Sequence, residues 1–148
     1  MRKKDTMPLW LSLLLPLLFS VTSFTSTYSQ LASGVYTITV TKDDLSQNAS
    51  EEDKNRFIGK WEWTLAEYGR MNLTLNGKVK VEGKYASTAN ELAITDEKGE
   101  ISCSNSPGSE TGTYKWMLEN KKLTLTVVED KCEGRRTFFT HQSWMKEK

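Results

Sequence analysis

From Phe57 to Tyr85 the chain reads FIGKWEWTLAEYGRMNLTLNGKVKVEGKY, and its apolar residues recur at alternate positions. Trp61, Trp63 and Leu65 alternate with Lys60, Glu62 and Thr64, and Met71, Leu73 and Leu75 with Asn72 and Thr74. Val79 and Val81 alternate with Lys78, Lys80 and Glu82. A period of two puts one set on a buried face and the other in water, as in a half-buried β-strand. Asn76-Gly77 separates the second run from the third, and that pair suits a two-residue type I′ turn, whose central residues both need φ > 0. Tyr68-Gly69 breaks the first run from the second. The stretch reads as three consecutive antiparallel strands with one wet face and one strongly apolar face.

The same alternation marks strands on either side. Tyr36, Ile38 and Val40 follow Gly34, Leu92 and Ile94 fall within 91–95, and Tyr114, Trp116 and Leu118 within 111–118. Leu123, Leu125 and Val127 mark a seventh strand, and the last is expected from Arg135 to about Gln142, with Phe138 or Phe139 inward. Residues 42–56 have no strand period. Ser50 followed by Asp53 resembles a helix start, so one short helical turn is expected before the second strand. Short strands at regular spacing, joined by hairpin-length connections, predict an all-β, eight-stranded antiparallel up-and-down barrel. Closure removes exposed edge strands, and a barrel of this size has an interior that side chains fill or one small ligand occupies. Strand direction places the loops 96–110 and 129–134, the 42–58 connection and the Asn76-Gly77 turn at one end.

Residues 1–29 combine Arg2, Lys3 and Lys4, an apolar run from Leu9 to Val21 interrupted by Pro16, and a small polar stretch from Ser23 to Ser29. This is the three-part pattern of a signal peptide, and the run is short for a membrane span. Cleavage after Ser29, or after Ser23, is expected, leaving 30–148 as a single domain, secreted or periplasmic. Loss of 1–29 removes three basic residues and one acidic one from totals of 20 and 19, so the net charge becomes −1. That balance gives no support for nucleic-acid binding or for a membrane-binding face after cleavage. Cys103 and Cys132 are the two cysteines, and an even count in an exported chain predicts one disulfide, worth roughly 3–4 kcal/mol.

No catalytic constellation is evident. His141 is the only histidine, no serine or cysteine has an evident base, and Asp43-Asp44 and Glu51-Glu52-Asp53 lack the spacing of a calcium loop. The chain is therefore expected to be no enzyme, with no cofactor and no metal site. The aromatic residues are more informative. Tyr36, Trp61, Trp63, Tyr85, Tyr114 and Trp116 fall on the inward register together with one of Phe138 and Phe139. They either fill the barrel as its core, or Trp63, Tyr85, Tyr114 and Trp116 line a pocket for a mostly apolar ligand.

Phe57-x-Gly59-x-Trp61, after a short helical segment and before a strand meander, resembles the calycin superfamily, closest to small secreted bacterial lipocalin-like proteins. Avidins share the Gly59-Lys60-Trp61 opening, but Trp63 and Leu65 stand where polar biotin-binding side chains are expected. The resemblance implies structural roles for Gly59 and Trp61, with Trp61 plugging one barrel end under Arg135 or Arg136 from the last strand. It further implies a secreted binder of a small apolar ligand held in the barrel interior. The alternative is an inhibitor-like module that grips a protein partner through its rim loops.

Overall fold

Eight antiparallel strands close into a barrel in the computed structural model, which describes residues 30–45 and 50–148. The expected export segment 1–29 lies outside the described residues. The strands are β1 (Gly34–Val40), β2 (Gly59–Leu65), β3 (Arg70–Leu75), β4 (Lys78–Ser87), β5 (Glu91–Lys98), β6 (Thr111–Glu119), β7 (Lys122–Glu129) and β8 (Trp144–Lys146). Each pairs with its neighbours in sequence, and β8 closes on β1. This is the up-and-down barrel that the alternation predicted. The expected helical turn before β2 is α1 (Glu51–Phe57), and 3-10 turns occupy Lys42–Asp44 and Glu67–Gly69.

Local chemistry sets the turns. Asn76 (φ 49°) and Gly77 (φ 80°) both have positive φ, as a type I′ turn requires. Asn120 (φ 50°) and Lys121 (φ 67°) make the β6–β7 turn in the same backbone region without a glycine. A bulge then overrides the simple alternation in β4. Leu73 pairs with Val81 but Thr74 pairs with Val79, leaving Lys80 as the extra residue. Val79 consequently shares the outward face of Thr74 and is exposed, while Val81 is buried.

The strand expected from Arg135 to Gln142 is instead a helix, α2 (Glu133–His141). The last strand is the three-residue β8, which pairs with Lys122 and Leu123 on one side and with Tyr36 and Thr37 on the other. The physical reason lies in two adjacent phenylalanines. Phe138 and Phe139 both pack on Trp144, whereas strand geometry would send one of them to the opposite face. Helical spacing also puts Arg135 and Phe139, four residues apart, on one buried face. Glu133 in the first turn suits the helix dipole.

The interior is filled by aromatic rings. Trp63 packs on Tyr36, Phe139 and Trp144 at centroid distances of 6.1, 4.7 and 5.6 Å, and Tyr114 lies 6.1 Å from Phe139. Tyr36, Trp63, Tyr114 and Trp144 are fully buried, with Leu65, Leu92, Ile94 and Leu123 around them.

Candidate ligand-binding cleft at the helix-capped end

Four aromatic residues were expected to line a pocket, and they occupy two different environments. Trp63 and Tyr114 belong to the filled core; the Trp63 Nε1–H donates to Met71 Sδ at 3.3 Å. Tyr85 and Trp116 are partly buried at the opposite end from α2, where the Tyr85 hydroxyl donates to the Ala66 carbonyl and Trp116 Nε1–H to the Thr88 carbonyl. None of the four borders the cavities beside α2 described below.

Gly59 and Trp61 build the floor at the α2 end. Gly59 has φ +140°, and a Cβ there would meet the Asn76 side-chain atoms at 2.5–2.9 Å. Asn76 lies across it because Asn76 Oδ1 accepts the Lys60 N–H at 3.0 Å. Trp61 is fully buried, and its Nε1–H donates to the Phe57 carbonyl at 2.8 Å. Its ring stacks on Phe57 and meets the edge of Phe138 at 4.8 Å. Phenylalanine thus takes the place expected for arginine.

The arginines are engaged elsewhere because they lie on α2 and not on a strand. Arg135 is buried and pairs with Asp130 through Nε and Nη2, both at 2.8 Å, and with Asp96 at 3.3 Å. Its Nη1 and Nη2 also donate to the carbonyls of Glu110 and Ser109. Arg136 donates to the Asp130 carbonyl at 3.2 Å. The Tyr114 hydroxyl donates to Asp130, and burial with this bond pushes its phenol pKa far up.

The two carboxylates respond in opposite directions. Burial is the largest influence on both and raises each of them. At Asp130 the bonds from Arg135 and Tyr114 outweigh it, and its pKa falls below the ordinary value. At Asp96 burial prevails over the Cys103 amide and Arg135, and the pKa rises. Arg135 is held firmly protonated, its burial outweighed by the bond to Asp130 and the charges of both carboxylates.

The Cys103–Cys132 disulfide belongs to the same assembly, with Cα atoms 6.2 Å apart. The Cys103 amide donates to Asp96 and the Cys132 amide to Asp130, at 2.9 and 2.8 Å. An even cysteine count in a chain expected to be exported predicted this pairing. The bond ties the 99–110 loop to the start of α2.

Because α2 stands where the upper half of a strand would be, it leaves a seam against β1. A cleft of about 340 Å³ opens there, walled by Ile38, Val40, Leu45, Phe57 and Phe138. Asp44, Glu133, Thr137, His141 and Gln142 supply its polar atoms, and His141 Nε2 lies 3.9 Å from Asp44 Oδ1. Behind α2 a second cavity of about 100 Å³ shares Phe57, Gly134 and Phe138 with the cleft and reaches Asp96 and Arg135. Sequence reasoning missed this site because it read 135–142 as a strand. One signal was present: the adjacent Phe138-Phe139 pair, which breaks a period of two.

No group of three or more His, Cys, Asp or Glu side chains among the described residues is placed to share a metal ion, and no described helix is long and apolar enough to cross a membrane. Comparison of the chain with protein-family models, with curated proteins and with solved structures gives no match.

Proposed function

We propose that this chain is an exported, calycin-like barrel that binds a small, mostly apolar molecule in the cleft between α2 and β1. The cleft itself carries the reading: about 340 Å³ of largely apolar space lies within the size range of small-molecule sites. The aromatic core occupies the centre of the barrel, so the ligand position moves from the interior to this seam. Kinship with calycins is supported by the closed eight-strand meander and by a short helix running into Gly59-x-Trp61. Export is supported by the Cys103–Cys132 bond, since such bonds persist in oxidising compartments.

The test is uptake of a neutral apolar dye, N-phenyl-1-naphthylamine, by the folded protein. Saturable binding at one site is expected, and absence of uptake across a varied set of apolar dyes would refute the reading. A second reading, capture of a protein partner, draws on the 99–110 loop. The disulfide and the Arg135 bonds to Ser109 and Glu110 hold this loop in one shape, which lowers the ordering cost of an interface. That reading expects no dye uptake, and loss of partner binding on substitution of loop residues such as Ser106.

A further inference from the structure

We infer that the occupant of the α2 cleft is a cationic amphiphile, with an apolar body against Ile38, Val40, Leu45, Phe57 and Phe138 and an ammonium-type head beside Asp44 or Glu133, which stand at the two ends of the α2 face. This deepens the proposed function and rests on it. The argument is charge complementarity at an apolar site. Asp44 and Glu133 both line the cleft, and no lysine or arginine does. Asp44 is fixed in place: its Oδ2 accepts both the Thr41 amide and the Thr41 hydroxyl at 2.7 Å, leaving Oδ1 turned toward His141. Those Thr41 bonds also hold its carboxyl below the usual range. Glu133 is solvent-exposed and has no hydrogen-bond or ion-pair partner among the described residues.

An anionic head, such as that of a fatty acid, would meet Asp44 or Glu133 and no lysine or arginine along the cleft, where His141 is the basic side chain; Arg56 and Lys131 line a separate depression on the far side of Glu133. A cationic head would meet a carboxylate at either end of the cleft with little desolvation, because each carboxylate keeps contact with water. The apolar body gains by burial alone, at roughly 25 cal/mol per Å² of apolar surface removed from water. Gly134 gives a handle on occupancy. It borders both the cleft and the cavity behind α2, and a Cβ at this position meets nothing within 4 Å. A side chain can therefore start from this position without a Cβ clash and narrow the cleft at its border.

Isothermal titration calorimetry with decylammonium and with decanoate, each below its micelle concentration at low ionic strength, tests the inference. Decylammonium should bind more tightly, by roughly fivefold or more. Glu133→Gln should cut that preference by at least about half, Glu133→Gln with Asp44→Asn should abolish it, and added salt should weaken it. Gly134→Leu should reduce the binding of both amphiphiles, with thermal unfolding confirming that each variant is folded. Equal affinities, a preference for decanoate, or a preference that survives in folded Glu133→Gln/Asp44→Asn protein would overturn the inference while leaving the cleft a ligand site. Binding of neither amphiphile would sink the head-group inference, and absence of dye uptake as well would sink the ligand reading beneath it.

Discussion

Arg135 grips Asp130 side-on: its Nε donates to Oδ2 and its Nη2 to Oδ1, both at 2.8 Å. The pair joins the first turn of α2 to the end of β7. The same guanidinium holds the carbonyls of Ser109 and Glu110, so helix, strand and disulfide loop meet at one charge. Removing Arg135 leaves Asp130 and Asp96 buried without a cation, and removing Asp130 leaves Arg135 with only the longer Asp96 pair and two carbonyls, so either loss is costlier than losing an exposed ion pair. The wall of the cleft therefore depends on a contact outside the cleft.

The two carboxylates around Arg135 should give opposite pH dependences. The Asp130 pKa is lowered in the fold, so its contribution is full above the ordinary carboxylate value, about 3.9, and is lost as pH falls through the folded value. The Asp96 pKa is raised, so its contribution is full below about 3.9 and is lost as pH rises through the folded value. Asp130→Asn should cost about 3–5 kcal/mol near neutrality and less in acid. Asp96→Asn should show its larger deficit in acid and a smaller one near neutrality. Urea unfolding of both variants across this pH range checks the signs, and deficits that change with pH in the same direction would contradict this assignment.

Loss of the disulfide should loosen the α2 end in particular. Cys103→Ser with Cys132→Ser should lower stability by roughly 3–4 kcal/mol. Hydrogen exchange should rise most at the amides of residues 103 and 132, which donate to Asp96 and Asp130. Non-reducing mass spectrometry of the purified protein should find no free thiol. Two free thiols in that material would contradict the pairing.

The first seven strands were legible because each half-buried strand writes its own period of two into the sequence, and Asn76-Gly77 declared its turn. The bulge at Lys80 was not legible. Val79 and Val81 look equivalent in sequence, and only the pairing with Thr74 and Leu73 separates them. Trp63 and Tyr114 could be read as inward, but not whether rings or a ligand would meet them. That depends on Phe139 and Trp144, which reach the core from a helix and a three-residue strand. The cleft was hidden for the same reason: the polar stretch 135–137 looks like the start of a strand until Arg135 finds buried carboxylates.

Gly59 should tolerate no side chain while Asn76 lies over it. Gly59→Ala places a Cβ in a backbone region that disfavours it and 2.5 Å from Asn76 Nδ2, at a cost of roughly 1–3 kcal/mol. Asn76→Gly removes the obstructing side chain and keeps a turn that accepts positive φ, so the double variant should lose less than the sum of the two singles. Additive losses in a double-mutant cycle would mean that backbone strain acts alone at this position.

The central claim is that a small apolar molecule binds in the seam between α2 and β1. Its most direct measurement is the affinity for N-phenyl-1-naphthylamine of the native protein set against Gly134→Leu and Trp116→Ala. Gly134 borders the cleft, whereas Trp116 lies toward the other end of the barrel and donates to the Thr88 carbonyl. The account predicts one saturable site in the native protein, a loss of about tenfold or more in Gly134→Leu, and little change in Trp116→Ala. Undiminished affinity in folded Gly134→Leu, or a loss confined to Trp116→Ala, would contradict it.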